Sequence, residues 1–158
     1  MTFLICWLIK TQIRLVKLSD RTLQHCPINS EYCNIQLSSI KDIAEYSKKK
    51  TAEMFTFAQH NDVVNGKANC VGYAQYAASL CNKLLIYNNI KANAKPVVGC
   101  YYLRSINLNK YATIIANDVQ IKNFIKDHDY VEIVDNSGKV VYSFDPSIYD
   151  LTYLTFHE

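Results

Sequence analysis

Residues 128–134 and 139–145 are two seven-residue runs of strand type, and the tetrapeptide between them, Asp135-Asn136-Ser137-Gly138, is a strong turn. That combination leaves little choice but an antiparallel hairpin. A turn centred on Asn136 and Ser137, with a loop of two or four residues, sets His128 against Asp145, Tyr130 against Ser143 and Val131 against Tyr142. Directly opposed residues have Cβ atoms about 4.5–5.5 Å apart, so an imidazole N–H there can reach a carboxylate. Val131 and Ile133 then share a core face with Val140, Tyr142 and Phe144, while His128, Tyr130, Ser143 and Asp145 occupy the other. A loop of odd length would break this pairing unless a bulge restored it.

The second constraint is an apolar helix expected from about Cys70 to Tyr87, centrally buried through Ala74, Ala77, Ala78, Cys81, Leu84 and Leu85. The polar stretch 61–69, with Asn65-Gly66, breaks the chain just before it. Cys70 therefore falls where unpaired backbone N–H groups and the positive end of the helix dipole favour thiolate over thiol. Alone, a cysteine in an Ala-rich helix reads as core, and a histidine opening a strand reads as surface. Together, Cys70, His128 and Asp145 make the nucleophile, base and orienter of a thiol triad.

Elsewhere the pattern is that of an α+β protein. Residues 1–37 form an N-terminal arm of uncertain structure, and 38–158 form the catalytic domain. A Ser N-cap at 38–39 opens a helix to about Gln59, with Ile40, Ile43, Ala44, Met54, Phe55 and Ala58 near helical period. Residues 96–106 read as a strand. Residues 111–126 are ambiguous and should contain a short helix. The segment 107–126 could rim a cleft with Tyr111, Ile114, Ile115 and Phe124, although a core helix is the reading its pattern favours.

Composition removes several classes of function. The chain has 158 residues, 49% of them hydrophobic and 20% charged, enough for one core without staples. Net charge is only +3, and the one basic run, Lys48-Lys49-Lys50, reads as a solvated helix face, so a nucleic-acid partner is not expected. Residues 3–9 are apolar but too few to span a bilayer, and no Lys or Arg precedes them as a secretory leader requires. They read as a buried N-terminal segment, which tips the expected location toward the cytoplasm; a truncated targeting sequence is the alternative. Six irregularly spaced cysteines do not make a disulfide framework, and Cys26 and Cys33 could pair or stay free. Cys81 and Cys100 read as core. His25, Cys26 and Cys33 lack a fourth ligand for zinc, His157 sits near the chain end, and no loop has the carboxylate density of a calcium site. No metal or cofactor is expected.

The stretch Asn69-Cys70-Val71-Gly72-Tyr73-Ala74-Gln75-Tyr76-Ala77 resembles the Cys-x-Gly-Tyr-Ala signature of bacterial transglutaminase-like proteins, in the papain-related superfamily. His128-Asp129-Tyr130-Val131-Glu132-Ile133 is similar to that family's histidine strand, and Phe144-Asp145-Pro146-Ser147 to its Asp-Pro ending. The resemblance spans roughly residues 38–150. It departs at Ala68-Asn69, where Gly-x is more usual, and at Asp129-Tyr130, where Ala-Trp is frequent.

The resemblance implies a papain-like core, with the nucleophile helix packed on an antiparallel sheet carrying His and Asp. It also implies a polypeptide substrate, attacked by Cys70 at a peptide or glutamine carboxamide carbonyl. An oxyanion would be held by the Cys70 N–H and a second donor, for which Gln59, Asn61 and Asn69 are candidates. Water would complete hydrolysis, and an amine would complete transamidation. Two alternatives stand beside this: a catalytically silent binding module of the same fold, and an arylamine N-acetyltransferase-like enzyme, for which the chain is short.

Overall fold

The computed structural model describes residues 13–108 and 128–152. The central element is a helix, α2 (Cys70–Tyr87), with thirteen of its eighteen residues buried. Ala74, Ala77 and Ala78 are fully enclosed, which small side chains permit because neighbouring backbones can approach closely. An apolar surface all round a helix is stable only where every side is covered. Helix α1 (Ile40–Met54) packs along it, and a second face lies on a five-stranded antiparallel sheet.

That sheet runs β1 (Ile13–Asp20), β4 (Ala92–Leu103), β6 (His128–Asp135), β7 (Val140–Phe144), with the short β5 (Ile106–Asn107) also on β4. Strands β2 (Thr56–Phe57) and β3 (Lys67–Ala68) make a separate parallel pair just ahead of α2, and α3 (Pro146–Thr152) follows β7. The mixed α/β content fits the α+β expectation. The core joins Tyr76, Leu80 and Leu84 of α2 to Ala94, Val131, Ile133 and Phe144 of the sheet. Asn82 ties helix to sheet, accepting from the Ala94 N–H at 2.7 Å and donating to its carbonyl at 2.8 Å.

Residues 13–37, which carried no motif, are held to the same sheet and helix. β1 pairs with β4 from Ile13↔Leu103 to Asp20↔Val97. The chain then runs along α2, whose polar side chains take up its backbone. Gln75 accepts from the Gln24 N–H at 2.7 Å and donates to Thr22 O at 3.0 Å, Ser79 accepts from the Cys26 N–H, and Asn88, which caps the helix C-terminus, bridges Leu37 N–H and Ile35 O.

Three expectations need correction. α1 stops at Met54, five residues early, because Phe55 turns extended and drives its ring edge-on against Tyr73 and Tyr76, 5.5 and 5.1 Å between centroids. Met54 is left 41% exposed, outside the core stripe. Lys48 is not solvated: it is 1% exposed, its ammonium 2.7 Å from Glu45 and 5.0 Å above the Tyr149 ring. The hairpin register also differs, with Val131↔Phe144 and Ile133↔Tyr142 in place of Val131↔Tyr142.

The hairpin shift has a local cause. Asp135 N–H bonds Lys139 O, so the loop is Asn136-Ser137-Gly138, three residues, with Gly138 at φ 82° where a side chain would be strained. The Asp135 carboxylate reinforces it, accepting from Ser137 N–H, Ser137 Oγ and Lys139 N–H. A register shift between Ile133 and Val134 then adds one residue on β7, and side-chain parity returns. Phe144 and Tyr142 keep the core side, but Val140 is 43% exposed and does not join it.

Candidate active site

Cys70 is the first residue of α2 and Asn69 is its cap. The Asn69 side-chain oxygen accepts from the Gly72 N–H at 3.2 Å, and its amide nitrogen donates to Gln59 O at 3.2 Å. The Asn69 N–H is taken in turn by Asn61 Oδ1 at 2.9 Å. Gln59, Asn61 and Asn69 thus converge on the turn that presents Cys70, with Asn69 committed to capping and Gln59 engaged through its main chain. Asn61 reaches in because residue 72 has no side chain. A Cβ there would lie 2.4 Å from Asn61 Oδ1 and 2.9 Å from Ala68 Cβ. Gly72→Ala should therefore destabilise the fold by about 1–3 kcal/mol and slow alkylation of Cys70; an unchanged urea midpoint and labelling rate would contradict this packing argument.

His128 opens β6 and Asp145 lies between β7 and α3. His128 is fully buried and Asp145 is 4% exposed. His128 Nε2–H donates to Asp145 Oδ2. The contact is diagonal, because the register, continued past Phe144, sets Asp145 across from Tyr130. Cys70 lies beside His128 and favours its charged form, and with Nε2 turned to Asp145 the nitrogen left for the thiol is Nδ1. The three residues singled out in the sequence are thereby brought together from three elements.

Asp145 is held on all sides. Its Oδ1 accepts from Ser147 N–H (3.0 Å), Ser147 Oγ (2.9 Å) and Ile148 N–H (3.0 Å), anchoring the start of α3. Its Oδ2 also accepts from the Tyr101 hydroxyl of β4. The Tyr101 and His128 rings lie 5.2 Å apart, tilted by 45°. Ser147 stood within the quoted Asp-Pro ending, but nothing in the pattern singled out Tyr101 from the other tyrosines. Next to His128, the fully buried Asp129 pairs with Arg21, whose Nη2 donates to Oδ1 at 2.8 Å. Cys81 and Cys100 are buried in the interior, while Cys26 and Cys33 are half-buried free thiols.

The pair is electrostatically coupled. Burial disfavours imidazolium, but the charge and hydrogen bond of Asp145, with the Cys70 contact, overcome it and raise His128 to about 10. For Asp145 burial likewise opposes the charged form, yet the His128 charge and the surrounding donors hold its carboxyl below 3.8. A histidine whose folded pKa exceeds the unfolded 6.5 contributes stability that is complete below 6.5 and is lost as pH rises through about 10. The wild-type urea midpoint should therefore fall between pH 6 and 10.5 by more than that of His128→Gln. Parallel curves would refute the assignment.

The expected cleft-rim segment, with Tyr111, Ile114, Ile115 and Phe124, lies outside the described residues apart from its first two positions, as do residues 3–9 and His157. Among the described residues no helix is long and apolar enough to cross a membrane. Compared with protein-family models, curated proteins and solved structures, the chain matches none.

Proposed function

We propose that the protein is a thiol-dependent acyl-transfer enzyme of the transglutaminase-like, papain-related kind, acting on peptide or glutamine carboxamide groups. The observation that carries this reading is the chain of contacts from a helix-initiating cysteine through a buried histidine to a buried carboxylate. The Cys70 proton rests on His128, and the thiolate attacks the carbonyl carbon, forming an S–C bond and an oxyanion. The Cys70 N–H, at the first position of α2, supplies one oxyanion donor, and Asn61 or Gln59 the second. The C–N bond then breaks as His128 protonates the departing amine, leaving a thioester. Water or an amine attacks that thioester, His128 accepts its proton, and the thiolate leaves. Asp145 keeps the imidazole oriented and offsets its positive charge.

Iodoacetamide labelling across pH tests the reading. Cys70 should label faster than the other cysteines in wild type and lose that advantage in His128→Ala, with Cys70→Ser locating the label. Ordinary Cys70 reactivity, indifferent to His128, would end the proposal. A mass-spectrometric screen of glutamine peptides, with and without a primary amine, then separates peptide cleavage, ammonia loss and amine incorporation.

A further inference from the structure

The two oxygens of Asp145 are held by different parts of the fold. Oδ1 is filled by donors of α3, whereas Oδ2 is shared between His128 and Tyr101, which belongs to a different strand. We propose that Tyr101 is a positioning residue of the acyl-transfer centre, pinning Asp145 Oδ2 and drawing off part of its charge so that His128 can release its proton to a departing amine. This rests on the reading of Cys70 and His128 given above.

The geometry is specific. Gly99 pairs with His128 across β4 and β6, so Tyr101, two residues on, sits diagonally from the imidazole on the same face of the sheet. Its ring covers the histidine and its hydroxyl meets the same carboxylate oxygen. Tyr101 is only 5% exposed, and burial together with the Asp145 charge holds its hydroxyl well above the usual phenol range. It is therefore a neutral donor whenever His128 is cationic. Among the described residues, the groups facing His128 include Asp145 from the β7–α3 junction, Cys70 from α2, Ser147 from α3 and Tyr101 from β4. Tyr130 of β6 lies near Tyr101, and Asp129 is turned to Arg21. A carboxylate oxygen that already accepts a phenol hydrogen bond is a weaker partner for imidazolium than one that does not. Without the hydroxyl, His128 should hold its proton more tightly.

The test is an NMR titration of the His128 side chain in full-length protein, with the pH profile of iodoacetamide labelling at Cys70 alongside. Tyr101→Phe keeps the ring and removes the donor. It should move the His128 midpoint upward by about half a unit or more, with the alkaline limb of labelling moving in parallel. Replacing Tyr101 with 3-fluorotyrosine keeps the shape and strengthens the donor, and should move the midpoint the other way. It also serves if the Phe protein does not fold. A residue that merely fills space would leave the midpoint unchanged in both proteins, and that outcome overturns the inference. The histidine titration reads Tyr101 directly, so it remains decisive even if Cys70 proves insensitive to His128→Ala, the separate outcome that removes the enzymatic reading.

Discussion

Asp145→Ala should lower the stability of the fold by about 3–5 kcal/mol, the range found when one partner of a buried ion pair is removed. Two losses combine. His128 is fully enclosed and keeps its charge chiefly through Asp145, so without the carboxylate it must deprotonate or remain as a poorly compensated buried cation. The donors of Ser147, Ile148 and Tyr101 lose their shared acceptor, and α3 loses the anchor of its first turn. Urea unfolding at pH 7 measures the sum. Asp145→Asn separates the parts, since it keeps the volume and one acceptor oxygen while removing the charge, and it should fall between wild type and Asp145→Ala. A midpoint for Asp145→Ala within about 1 kcal/mol of wild type would mean that the buried pair does not hold this end of the sheet.

That prediction depends on contacts the sequence disclosed only partly. The bounds of α2 were legible because their causes are local: an Asn cap, a polar Gly-containing loop and an unbroken run of helix-forming apolar residues. The hairpin was legible for the same reason. Its register was not, because a three-residue loop and a compensating bulge lie close to a two- or four-residue loop in local preference, and the packing of Phe144 beside Val131 favours the observed choice. His128 and Asp145 still meet because a shift of two residues preserves the face, so the expectation of contact outlived the geometry on which it was based.

The remaining differences are tertiary. Lys48 looked solvated because its partner ring, Tyr149, is about a hundred residues away. Tyr101 is one of 12 tyrosines, and only the pairing of β4 with β6 brings it to Asp145. Residues 13–37 showed no motif because their attachment is largely backbone, through β1 pairing and the side chains of Gln75, Ser79 and Asn88. Such attachments leave few marks in a chain's own pattern, since the donor and acceptor they use are present in nearly every residue.

On the proposed acyl-transfer reading, turnover of a peptide substrate should fall by about a thousandfold or more in Cys70→Ser and by a similar order in His128→Ala. The double variant should be little worse than either single one. The reason is mechanical. Sulfur without His128 has no base to take its proton and no acid to protonate the departing amine, and His128 without the thiol has no nucleophile to serve. Groups that act as a unit are lost as a unit, so their effects do not add. Residues that contribute separately, such as a binding contact and a distant packing residue, would give multiplied losses. Both variants leave the Asp145 contacts with Ser147, Ile148 and Tyr101 in place, and Cys70→Ser changes one atom, so its urea midpoint should stay within about 1 kcal/mol of wild type. Losses that multiply in the double variant would mean that Cys70 and His128 act independently, and the contact between them would then have to be explained as packing alone.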